Sequence, residues 1–78
     1  MSTIETLESY LEQALQLGYE IRYEWFGGTG GGVCQLGNRK CLFLDLALGP
    51  IDHLVTVTQL LRDEGIDPLI RRIDSKAA

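Results

Sequence analysis

No stretch of this chain is apolar over the roughly 20 residues that a membrane-spanning helix needs. Its first residues, Met-Ser-Thr-Ile-Glu, have neither the basic start nor the apolar centre of a secretory signal. Both absences make a cytoplasmic protein, with no membrane partner, the expectation. Basic residues are sparse: Arg39-Lys40 and Arg71-Arg72 are the only doublets, and the net charge is −4. Phosphate contacts need clustered Lys and Arg, so a nucleic-acid partner is not expected. Cysteine is confined to Cys34 and Cys41, too few for a small disulfide-stapled scaffold. Their spacing is not the C-x-x-C of redox or zinc sites, and His53 is the only histidine. No metal or other cofactor is therefore expected. Internal repeats, low-complexity linkers and composition breaks are also missing, so residues 1–78 form one domain, with 75–78 expected to fray.

What remains is ordinary globular composition, 45% hydrophobic and 23% charged. A chain this short buries only about 60–65% of its unfolded surface, so self-association would extend a small core. Five acids and one base fall in residues 1–24; the rest of the chain is balanced.

Residues 2–17 have apolar positions at helical spacing (Ile4, Leu7, Leu11, Ala14, Leu15) behind Ser2-x-x-Glu5, a capping box. Gly18 stops this helix. Tyr19 to Phe26 alternates, with Ile21, Tyr23 and Trp25 on one side and Glu20, Arg22 and Glu24 on the other: a half-buried strand. Gly32–Leu36 and Lys40–Leu46 read as two more strands, with Gly37-Asn38 at the hairpin turn. A two-residue turn sets Cys34 opposite Cys41, whereas a three-residue turn sets it opposite Leu42. Leu42, Leu44 and Leu46 share one face of the last strand. Pro50 and Asp52 begin a second helix that ends near Glu64, with Ile51, Leu54, Val55, Thr58 and Leu61 as the inward stripe. Val57 and Leu60 lie off that stripe, which leaves them to cover a second surface. Residues 67–73 form either a short helix begun by Asp67-Pro68 or an edge strand. The expected fold is α+β, in the order α-β-β-β-α: a two-layer sandwich of a three-stranded antiparallel meander with both main helices on one face.

The chemistry centres on Trp25-Phe26-Gly27-Gly28-Thr29-Gly30-Gly31-Gly32-Val33-Cys34. Glycine-rich backbone can form a nest of N–H groups for an anion. Yet Val33 stands where both the dinucleotide and the P-loop patterns need another residue, and a strand, not a helix, follows. The plain reading is a flexible hairpin loop or bulge; the sharper one is a ligand or enzymatic site using Trp25, Phe26, Gly28, Gly30, Gly31 and Cys34. A catalytic Cys–His pair would need His53 beside Cys34 or Cys41, oriented by Asp45 or Asp52. A helix-start histidine is more simply surface, and no catalytic residue is assigned.

The segments Gly18-Tyr19-Glu20-Ile21-Arg22-Tyr23-Glu24, Gly31-Gly32-Val33-Cys34-Gln35-Leu36 and Cys41-Leu42-Phe43-Leu44-Asp45-Leu46 resemble small bacterial proteins that carry a domain of unknown function. The resemblance covers about half the chain and implies no reaction, ligand or site residue. The functional expectation is a non-enzymatic domain that binds a protein partner or forms a homodimer, with Phe43, Val57 and Leu60 at the interface. The alternatives are the ligand or enzymatic site at the loop and a thiol redox switch through Cys34 and Cys41.

Overall fold

The computed structural model describes residues 2–69. It is α+β, in the order α1 (Thr3–Gln16), β1 (Tyr19–Glu24), β2 (Gly32–Leu36), β3 (Arg39–Asp45) and α2 (Pro50–Asp63). Among the described residues no helix is long and apolar enough to cross a membrane. The expected capping box closes α1: Ser2 Oγ accepts from Glu5 N at 3.1 Å, and Glu5 Oε1 accepts from Ser2 N at 3.2 Å. Gly18 ends it with a φ of 95°, a left-handed turn that leads straight into β1.

The sheet is mixed, not an antiparallel meander. Its order is β1-β3-β2, with β1 parallel and β2 antiparallel to β3. Hairpin-sized connections favour a meander, but β3 carries Leu42 and Leu44 and takes the centre, where strands flank it on both edges. Trp25 and Phe26, expected as the end of the first strand, leave the sheet instead. With Gly27–Gly31 they carry the chain across the C-terminal end of β3, a gap of about 10 Å. The hairpin turn has two residues, so Cys34 faces Cys41. Gly37 has a φ of 62° and Asn38 does not enter the left-handed region, which is the glycine-first turn that matches strand twist.

Both helices cover the face bearing Tyr19, Leu42 and Leu44; Leu7, Tyr10 and Ala14 of α1 and Val57, Leu60 and Leu61 of α2 close this core. The stripe on α2 is therefore rotated from expectation. Val57 and Leu60, read as free for an interface, are buried, whereas Ile51 and Val55 are 67% and 65% exposed. The helix is apolar around more than half its circumference, and spacing alone does not say which half turns inward. The Tyr19 hydroxyl donates to Glu64 just past α2. That bond, with burial, pushes its pKa up to about 12. Asp67 Oδ1 accepts from Leu69 N at 3.0 Å; most of the 67–73 segment and residues 75–78 lie outside the described residues.

One core position is mismatched. The Gln13 side chain is buried on α1, and neither its amide oxygen nor its nitrogen has a hydrogen-bond partner. A buried amide without partners costs on the order of 1 kcal/mol or more. Gln13→Met, of similar length, is expected to raise the melting temperature by about 4–8 °C in thermal unfolding followed by circular dichroism. A lower melting temperature would show that the amide is doing something stabilising.

Candidate functional site

The glycine segment does form an anion nest, and its anion is the protein's own. Asp45, the last residue of β3, is 1% exposed beneath the crossing loop. Its Oδ1 accepts from Phe26 N at 3.0 Å and Ala47 N at 2.9 Å. Its Oδ2 accepts from Gly28 N and Gly30 N, both at 2.9 Å. Burial alone would push this carboxyl up. The N–H groups of Ala47, Phe26, Gly30 and Gly28 outweigh burial and hold it below the ordinary carboxylate value. The Asp45 carbonyl oxygen accepts from Leu48 N at 3.0 Å and lies 2.7 Å from His53 Nε2. A carbonyl only accepts, so Nε2 carries the proton. His53 also meets Tyr23 edge-on, with ring centroids 6.1 Å apart.

These contacts reorder the candidate chemistry. The Gly28 and Gly30 N–H groups are committed to Asp45 and are not free for a phosphate. Gly31 is pressed onto β3: a Cβ there would fall 1.8 Å from the Phe43 carbonyl oxygen. Cys34 and Cys41 point to the open face of the sheet, away from the helices, whereas His53 meets Tyr23 on the covered face. The structure does not bring the cysteine–histidine pair together.

What the open face offers is apolar. Phe26 folds back onto Phe43 edge-to-face at 5.9 Å. With Gly30–Gly32, Cys34 and Glu24 they line a shallow hollow of about 380 Å³. Phe43, one of the expected interface residues, is its half-buried floor, and Trp25 stands beyond the loop, 71% exposed. A second hollow of about 350 Å³ opens on the covered face, between Val33 on β2 and Val55, Gln59 and Asp63 on α2. Strand β2 thus runs between two hollows, one on each face.

β2 is also an edge. In a two-residue hairpin the closing pair, Leu36 and Arg39, exchanges both backbone bonds, and bonding alternates from there. Gly32, Cys34 and Leu36 therefore turn their backbone groups toward β3. Val33 and Gln35 turn theirs outward. Sequence reasoning missed this edge because it placed β2 in the centre of a meander. The signal was present: Gly-Val-Cys-Gln-Leu has no charge and no proline, the usual protections of an edge. The opposite edge, β1, has Glu20, Arg22 and Glu24, and the Arg39 guanidinium ion-pairs with Glu20. Both thiols are free; Cys34 is exposed, and the buried Cys41 sulfur lies 3.8 Å from Glu20 Oε2, on the side of β1.

No family model matches the chain, and no curated protein or solved structure is significantly similar to it.

Proposed function

We propose that this is a non-enzymatic protein-binding domain that works by strand addition at β2. The observation that carries this reading is the uncharged β2 edge, unpaired among the described residues and bordered by a hollow on each face. An added strand receives main-chain hydrogen bonds from Val33 and Gln35, and its alternate side chains enter the two hollows. Two free cysteines, one of them exposed, support a reducing compartment such as the cytoplasm.

The test uses Gln35→Pro. Proline removes an outward N–H and leaves the inward ladder to β3 intact, as edge strands tolerate. The preceding residue, Cys34, is already extended, as proline requires. Extended peptides selected by display on the wild-type protein are expected to bind Gln35→Pro about tenfold more weakly or not at all. Glu8→Gln, on the exposed surface of α1, is expected to bind them unchanged. Selected peptides that bind both variants and the wild type equally would overturn the reading.

A further inference from the structure

We infer that the strand added at β2 is the β2 of a second copy of this chain, in an antiparallel register centred on Cys34. This rests on the strand-addition reading and names its partner. The outward-facing residues fix the register. Val33 of each copy exchanges bonds with Gln35 of the other, and Cys34 lies opposite Cys34 in the non-bonded pair between them. On the open face, Leu36 of each copy then stands over Gly32 of the other. Leu36 is exposed, and Gly32 supplies no side chain beside the Phe26–Phe43 hollow. The same knob and hole are used twice, as a two-fold interface demands.

β2 is the uncharged edge of the sheet, whereas β1 carries Glu20, Arg22 and Glu24. Pairing β2 with itself sets no charged residues against each other. Pairing β1 with itself about Arg22 would set Arg22 against Arg22 and Glu20 against Glu24, whereas the register about Ile21 sets Glu20 against Arg22. The helices favour a second copy over a lone peptide. Two β3 strands separated by the β2 pair lie about 14 Å apart. That leaves room for one α2 beside the other, each about 10 Å across. Val55 borders the hollow on that side and Ile51 is one turn before it. These are the two large apolar side chains that α2 leaves exposed, and the partner's α2 covers them where a single strand would not.

Sedimentation velocity on the full chain over a wide concentration range is expected to show the mass rising from one chain to two. Gln35→Pro and Val55→Glu should each hold it at one chain, with melting temperatures near wild type because both positions are exposed. Oxidised glutathione should join the Cys34 sulfurs of the two copies. One sulfur–sulfur bond forms, two protons leave, and the reagent is reduced to two glutathione thiols. This covalent dimer is expected in Cys41→Ser and absent in Cys34→Ser. A wild-type chain that stays monomeric throughout, or oxidation that yields only a Cys34–Cys41 bond within one chain, would overturn the proposal. Monomeric wild type that still binds display-selected peptides in a Gln35-dependent way would remove the second copy and leave strand addition standing. Failure of both experiments would remove both.

Discussion

Asp45→Ala is expected to be the most damaging single substitution outside the apolar core, because it strips the acceptor from four backbone N–H groups at once. Those groups sit on two segments, the loop (Phe26, Gly28, Gly30) and the turn after β3 (Ala47). Part-buried donors left without an acceptor keep part of their desolvation cost. A fall in melting temperature of roughly 15 °C or more, or failure to fold, is the expected result by circular dichroism. Asp45→Asn is informative beside it. The amide keeps one acceptor oxygen and replaces the other with a donor facing N–H groups, so it restores only part of the loss.

The carboxylate also gives the protein an acid limb of known sign. Its folded-state pKa is below the unfolded value of about 3.9. The stabilisation is therefore complete above that value and is lost as pH falls through the folded-state pKa. Wild type should lose its advantage over Asp45→Asn as the solution is taken below about pH 4, where the unfolded carboxyl begins to bind its proton first. A wild-type-minus-Asn difference that stays constant from neutral pH to strong acid would refute the charged nest.

Gly31→Ala is expected to be nearly as severe for a different reason. The added carbon would fall 1.8 Å from the Phe43 carbonyl oxygen and 2.5 Å from its carbonyl carbon, both backbone atoms of the central strand. Neither yields by a rotamer change, so the loop must lift from β3 and draw its N–H groups away from Asp45. The cost is about 3 kcal/mol or more, read as a melting temperature lower by roughly 15 °C. Gly28→Ala is the comparison. Its φ of 91° strains an alanine, but nothing stands within 4 Å of the new carbon, so about 1–2 kcal/mol is expected. Equal losses at the two positions would mean that the close approach at Gly31 is not what shapes the loop.

These positions show which parts of the molecule the sequence made legible. Caps and stops at Ser2, Glu5, Gly18 and Pro50 were readable because they depend on neighbours within one turn. The hairpin was readable to within one residue; the two-residue turn then decided the Cys34 register. Strand order was not readable, since alternation in Tyr19–Glu24 reports which face a side chain takes and not which strand lies beside it. The inward half of α2 was hidden for a related reason: Ile51 and Val55 match a helical stripe as well as Val57 and Leu61 do. The glycine run reads first as a flexible loop or bulge; that its backbone can form a nest is legible, but the anion that fills it is not. Asp45 looked like one more polar residue on a half-wet strand, and nothing local marks it as the carboxylate that the crossing loop closes over.

The place of β3 in the sheet has a consequence during synthesis. β1 and β2 leave the ribosome first, yet neither is the other's neighbour, and each pairs only with a strand made later. Until residues 39–45 emerge there is no sheet to join, and the apolar sides of both strands wait uncovered. The β2–β3 hairpin then closes locally and fast, and β1 follows from a greater chain distance. A nascent chain halted before Arg39 therefore holds a helix and two strands with no fold available to them.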